Sequence, residues 1–207
     1  MSRPRTWNSG ILFVVSAPSG AGKTTLVKRL LRKDRRIHKT ISHTTRSPRS
    51  GERDGRDYFF ISKTVFQRMI SKKSFVEWAR VYGDLYGTSK RTIDGILRKG
   101  KDAVLVIEAQ GARSIRKKFR NAVFILIVPP SLLELKRRIS RRGGEGVTEM
   151  KRRLRAAKSE IRAMRWYDYV VVNERIHNAV TDLHIIIQAE RLELARRRSL
   201  IQILAGR

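Results

Sequence analysis

The apolar positions of this 207-residue chain form short continuous runs, separated by longer segments where every third or fourth residue is apolar. The runs at 11–16, 103–107, 122–128 and 169–172 do not alternate as a half-exposed strand would, and they read as strands buried on both faces. The spaced segments predict helices over 23–33, 64–73, 89–99, 110–119, 131–142, 147–164 and 176–197. Gly100 ends one helix, Pro129-Pro130 closes a strand, and Gly143-Gly144 ends the helix that follows. Buried strands alternating with helices predict an α/β fold, a parallel sheet covered by helices.

Two regions break that rhythm. A short strand at 37–41 leads into a loop over 42–57 rich in Arg, Ser, Thr, Pro and Gly, and short strands follow at 58–61, at 75–81 and around Tyr86. This predicts that 42–90 is an inserted substrate-binding piece. Residues 136–157 are very basic and contain paired glycines, the composition of a mobile lid. The core is then expected from 1–41, 91–135 and 158–207.

Composition narrows the class. Apolar residues make up 41%, and no apolar run approaches the ~18 residues of a membrane span. The basic N-terminus lacks a secretory cleavage pattern, and with no cysteine there is no disulfide or thiol chemistry, so a cytoplasmic protein is expected. The formal net charge of +29 predicts non-specific binding to polyanions at low salt. The basic residues are spread over several predicted helices without a nucleic-acid recognition motif, which favours an enzyme acting on anionic substrates.

The chemistry is most legible at 13–26. An apolar strand runs into Ala17-Pro18-Ser19-Gly20-Ala21-Gly22-Lys23-Thr24-Thr25 and then an apolar helix start at Leu26. Small residues let backbone N–H groups turn inward around phosphate oxygens, and the helix N-terminus favours the same anion. Lys23 can reach the β- and γ-phosphates of ATP, and the Thr24 hydroxyl can ligate Mg²⁺. The strict phosphate-loop pattern has Gly where this chain has Ala17, so the strand–loop–helix context carries the reading. A second constellation lies at Ser42-His-Thr-Thr-Arg46-Ser-Pro-Arg49-Ser-Gly-Glu52 and continues to Tyr58; two arginines and a tyrosine there can grip a second phosphate.

Taken together, these segments resemble the guanylate kinase family over nearly the whole chain. The resemblance rests on Ala17 to Lys23, Ser42 to Glu52, Asp57 to Phe60, Phe75-Val-Glu77, Tyr86-Gly-Thr88, Glu108-Ala-Gln110-Gly111, Pro129-Pro-Ser131, the Arg-rich stretch 137–153, and Tyr167-Asp-Tyr169 to Asn173. It implies a P-loop nucleoside monophosphate kinase-like core with an inserted GMP-binding piece and a lid. It also implies Mg²⁺-dependent phosphoryl transfer from ATP to GMP, and to dGMP as well. Arg46, Arg49, Tyr58 and Tyr86 would hold the GMP phosphate, and Ser42, Glu77, Thr88 and Glu108 would face guanine. Glu77 also has a chemical reason: a carboxylate accepts from both N1–H and N2–H₂ of guanine, and adenine would leave it unpaired. Arg138, Arg142 and Arg153 would join Lys23 and Arg46 around the transferring phosphoryl group, and Asn173 would touch the adenine end of ATP.

One departure stands out. The family usually carries an acid where this chain has Val106, an acid that helps hold Mg²⁺ through water. Val106 and Glu108, two apart on a strand, share a face. Either Glu108 covers both duties, or Thr24 and the nucleotide phosphates hold the ion. Three rival classes remain. A non-catalytic interaction module of this fold typically has a degraded phosphate loop, whereas Lys23 and Thr24 are intact. A polyanion binder would rest on charge alone, and a kinase for another nucleotide is opposed by Glu77. A homo-oligomer is compatible with all of these readings.

Overall fold

The structure, a computed structural model, describes residues 10–81, 83–140, 147–197 and 204. Its centre is a five-stranded, all-parallel sheet of order β2-β7-β1-β8-β9, formed by β1 (Leu12–Ser16), β2 (Ile37–Lys39), β7 (Asp102–Val106), β8 (Val123–Val128) and β9 (Tyr169–Val172). β1 lies between β7 and β8 and is buried throughout, as expected for a strand covered on both sides. Successive side chains point to opposite faces. Phe13 and Val15 pack with Leu26, Val27 and Leu30 of α1 (Lys23–Lys33) and Leu183 and Ile187 of α7 (Ile176–Leu192). Leu12 and Val14 pack with Ile93 of α3 (Lys90–Leu97) and Ala112 and Ile115 of α4 (Ala109–Lys118).

The second sheet has four strands in the order β4-β3-β6-β5 and mixed direction. These are β3 (His43–Thr44), β4 (Phe59–Phe60), β5 (Phe75–Val81) and β6 (Asp84–Ser89), with β3–β4 parallel and the other pairs antiparallel. A separate small cluster of Phe66, Phe75 and Leu85 packs it against α2 (Lys63–Ser71), with the Phe66 and Phe75 rings stacked at 4.4 Å. β3 corrects the expectation of a continuous loop over 42–57. Its two residues are polar and carry no apolar signature; pairing with β4 and β6 and burial of Thr44 make the strand.

Helix ends shift by a residue or two from expectation. α5 is Leu132–Ser140 and α6 is Val147–Arg162; the expected end of the former at 142 and the paired glycines lie outside the described residues. The predicted terminal helix stops early: α7 ends at Leu192 and a 3-10 turn covers Leu194–Arg197. Near that end, Arg191 is buried and donates to Asp34 Oδ2 at 2.6 Å and Asp102 Oδ2 at 2.7 Å, while Asp102 Oδ1 accepts the Ile11 N–H at 2.9 Å. The network ties α7, the end of α1 and the starts of β7 and β1 together. A buried charge of this kind is tolerated only when paired.

Candidate functional site

Parallel α/β sheets place their ligand sites beyond the carboxyl ends of the strands. Here those ends lead directly into Ala17, Ile107, Pro129 and Asn173. The loop 17–22 turns back on itself through an Ala21 N–H to Pro18 O bond at 3.0 Å. Gly20 and Gly22 have φ of 90° and 92°, the left-handed region that side-chain-bearing residues rarely adopt. Space excludes a side chain too. A Cβ on Gly22 would lie 2.4 Å from Asn173 Nδ2, and one on Gly20 3.0 Å from Ile139 Cγ1 of α5. Gly22 caps α1 without a side-chain hydrogen bond, and no acid occupies the first turn. The first N–H groups of α1 therefore lack a side-chain cap, as an anion site requires.

Lys23 folds across to the end of β7. Its Nζ donates to Ile107 O and to Glu108 Oε1, each at 3.1 Å. Thr24 and Thr25 are exposed beside it, as is Ser19. Asn173 is buried: its Nδ2 donates to Ala21 O at 2.7 Å, and its backbone carbonyl accepts from Arg138 Nη2 at 3.0 Å. Its amide nitrogen thus braces the phosphate loop, while its buried Oδ1 has no hydrogen-bond partner. Arg138 is also held by Glu134 Oε1 at 2.8 Å. Arg153 lies half-buried on α6, and Arg142 falls outside the described residues.

The second group converges on an open cleft of about 910 Å³ between the two sheets, lined by Ser42, Arg46, Arg49, Tyr58, Glu77 and Tyr86 on one side and by Val106 and Glu108 on the other. Arg46 donates through Nε to the Tyr86 hydroxyl at 3.2 Å and through Nη2 to both Glu52 oxygens at 2.9 and 2.8 Å. Glu52 also accepts the Arg49 N–H at 2.8 Å. That N–H, with the Arg46 guanidinium, holds the Glu52 carboxyl below its ordinary pKa. Burial and the neighbouring Tyr86 push the Tyr58 hydroxyl up, so it remains a neutral donor. Thr88 is fully buried and orients the rest: its hydroxyl meets Ser42 Oγ at 2.9 Å and its N–H donates to Glu77 Oε1 at 3.1 Å. Burial pushes Glu77 up, opposed by the Thr88 hydrogen bonds and by Lys118.

The structure therefore brings together, at one edge of the parallel sheet, the phosphate loop and every residue expected to hold GMP. Sequence reasoning missed Glu52, although it stands in the quoted motif; a carboxylate three residues after Arg49 and six after Arg46 was its signal. It also missed the structural duty of Asn173 and the presence of Lys118 in the cleft, neither of which has a local signature.

Comparison with known proteins gives a consistent picture. The guanylate kinase family model matches residues 9–190. The guanylate kinase of Geobacter sulfurreducens is 46% identical over 187 residues, covering 90% of this chain and 92% of the relative. That of Clostridioides difficile is 45% identical over 192 residues, covering 93% and 94%. Among solved structures, a guanylate kinase from Anaplasma phagocytophilum superposes with a TM-score of 0.77 at 34% identity, covering 97% of this chain and 96% of that one.

Proposed function

We propose, from the premise that this chain belongs to the guanylate kinase family and phosphorylates GMP with ATP, a division of labour among its residues. The phosphate loop 17–22, Lys23 and the first turn of α1 hold the ATP phosphates. Arg46, Arg49, Tyr58 and Tyr86 hold the GMP phosphate; Ser42, Glu77 and Thr88 face guanine, with Glu108 at the junction. One observation supports this most. Arg46 and the Arg49 N–H already converge on a single anion, the Glu52 carboxylate, while an acceptor suited to guanine, Glu77, lines the same cleft. The cleft thus has the polarity of GMP, an anion grip and an acceptor for two N–H donors.

Transfer needs no protein nucleophile, because the GMP phosphate is anionic near neutral pH. The protein brings two polyanions together, screens their repulsion and excludes water. Lys23, Arg138 and the lid arginines Arg142 and Arg153 neutralise charge on the phosphoryl group in flight. The 42–90 piece and the 136–157 lid close over the substrates to exclude water. dGMP, the second acceptor that the family resemblance implies, would present the same phosphate and guanine groups to these residues.

The donor set suits Mg²⁺. It is a hard ion that keeps several waters and leans on substrate phosphates, so an exposed hydroxyl beside them suffices. No cluster of three or more acidic or histidine residues is present among the described residues. Thr24 would hold the ion directly and Glu108 through water, and it would neutralise the β- and γ-phosphate charge. Among the described residues, no helix is long and apolar enough to cross a membrane. The nucleotide substrates, ATP and GMP, fit a cytoplasmic enzyme.

The test is ADP formation from ATP and Mg²⁺ with GMP, AMP, CMP and UMP in parallel, with Lys23→Ala as the blank. Turnover with GMP alone, lost in the variant, is expected. A folded protein that binds GMP yet turns over no acceptor would favour an interaction module.

A further inference from the structure

Of the charged groups of the cleft that have no part in the scheme above, Lys118 is the one held against the strand that carries Glu77. Lys118, the last residue of α4, lines the cleft with Glu77, Gly111 and Ser114. Its Nζ donates to the Val76 carbonyl oxygen at 2.9 Å, and Val76 directly precedes Glu77 on β5. Val76 is fully buried and packs in one cluster with Ala112 and Ile115 of α4. The ammonium thus reaches from a helix covering the parallel sheet to the strand that carries the guanine-facing carboxylate, and packing fixes that approach.

Glu77 needs such a neighbour. Only the ionised group accepts from both N1–H and N2–H₂; a protonated carboxyl would set an O–H donor against a donor edge. Burial favours the protonated form, whereas the Thr88 hydrogen bonds and the Lys118 charge favour the carboxylate. Lys73, Arg80, Lys90 and Glu108 also line the cleft, and Arg46, Arg49 and Glu52 sit at its phosphate end. Among these charges, Lys118 is the one whose field reaches Glu77.

We propose that Lys118 is a positioning residue for guanine specificity, its ammonium supplying the counter-charge that keeps the Glu77 carboxylate presented to the N1–H and N2–H₂ edge. The proposal rests on the assignment of Glu77 to guanine made above.

The experiment measures kcat and KM for GMP from pH 5.5 to 8.5 in the wild type, Lys118→Met, Lys118→Gln, Lys118→Arg, Glu77→Gln and the Glu77→Gln/Lys118→Met pair. Thermal melts confirm that each variant folds. Without Lys118 the Glu77 carboxyl holds its proton to higher pH, so the acidic limb of kcat/KM should move upward. On the acidic limb, where the carboxyl is mostly protonated in both proteins, a movement of about one pH unit corresponds to an about tenfold rise in KM, and the difference fades as the pH rises past the limb. kcat should change little. The GMP phosphate titrates in the same range, but equally for every variant, so the difference between variants isolates the enzyme group. Lys118→Arg should restore the profile. Lys118→Gln keeps a donor for the Val76 carbonyl but no charge, and should behave like Lys118→Met. In the Glu77→Gln background there is no charge to hold, so Lys118→Met should then add less than about twofold, as expected when the coupled partner is gone. An equal KM penalty with and without the Glu77→Gln change, or rescue by Lys118→Gln, would reduce Lys118 to a tether and overturn the proposal. If Glu77→Gln alone leaves KM for GMP unchanged, the guanine assignment itself fails, a result distinct from the other two.

Discussion

The two anion-gripping regions of this protein are built in opposite ways. The phosphate loop works with backbone: two left-handed glycines, a helix start without a side-chain cap, and a buried amide from Asn173 that fixes the loop from beneath. The cleft works with side chains drawn from Ser42 just before β3, the loop after β3, β5 and β6, and its key cation, Arg46, is already paired with the protein's own Glu52. The first site is a shape fixed by its own backbone. The second holds its geometry through the Arg46–Glu52 pair, and on the proposed assignment that carboxylate would yield or share its arginine when GMP binds. Backbone donors cannot be lost by a side-chain change, but they depend on conformation. Side-chain donors are individually replaceable, and their geometry depends on one another.

If that contrast holds, the largest single-residue loss comes from the charged side chain of the backbone site. Lys23→Ala removes the ammonium that bridges to the end of β7. kcat for ADP formation should fall by at least about a hundredfold, the scale of deleting one preorganised donor. KM for GMP should stay within about threefold, because the cleft's contacts are separate. A large rise in that KM would show the two regions to be one coupled unit.

Arg46→Lys probes the cleft in return. Lysine keeps the charge but loses the fork that meets both Glu52 oxygens and the Tyr86 hydroxyl. A charge-assisted hydrogen bond contributes about 1.5–3 kcal/mol, so kcat/KM for GMP should fall about 10- to 100-fold. KM for ATP should be nearly constant, and steady-state kinetics with each substrate varied in turn would read the split. Equal losses for both nucleotides would break the comparison.

Gly22→Ala attacks the loop through its conformation. The left-handed backbone costs about 1–2 kcal/mol for an alanine, and the new Cβ meets Asn173 Nδ2 at 2.4 Å. Losing the Asn173–Ala21 bond adds about 1 kcal/mol. Together these should lower Tm by about 5–10 °C for a chain of this size. Adding Asn173→Ala relieves the contact, so the double variant should melt above the sum of the two single losses, by calorimetry.

The same contrast explains what could be read from the residues alone. The parallel sheet was legible because its strands are continuous apolar runs, and the loop because glycine, lysine and threonine stand at fixed offsets. The four-stranded sheet was only partly legible, because His43-Thr44 becomes a strand through partners far along the chain. Glu52 and Lys118 stayed hidden for a related reason. A charge on a basic surface and a charge aimed into a cleft look alike until the fold shows which way each points. The brace that Asn173 gives the phosphate loop was hidden likewise, because its contact with Ala21 spans the chain between them.

The smallest expected effect concerns the metal. Val106 ends β7, opposite Val15 in register, half-buried and facing the cleft. The acid two residues on, Glu108, pairs with Lys23, so its carboxylate is divided between a lysine and any water shell. On the proposed assignment, Thr24 and the nucleotide phosphates would then carry the ion with little outer-shell help. Val106→Asp supplies a carboxylate that can bind the ion's waters without competing for Lys23. The Mg²⁺ concentration for half-maximal rate should fall by about tenfold, the lower end of what outer-shell partners contribute. kcat at saturating Mg²⁺ should change less, because the charge on the transferring phosphate is set by the ion once bound. The measurement is a Mg²⁺ titration of the initial rate at fixed ATP and GMP. An unchanged midpoint would mean that Thr24 and the phosphates already set the ion's affinity. The backbone-built site would then be self-sufficient for its metal as well as for its nucleotide, and its contrast with the side-chain-built cleft would sharpen.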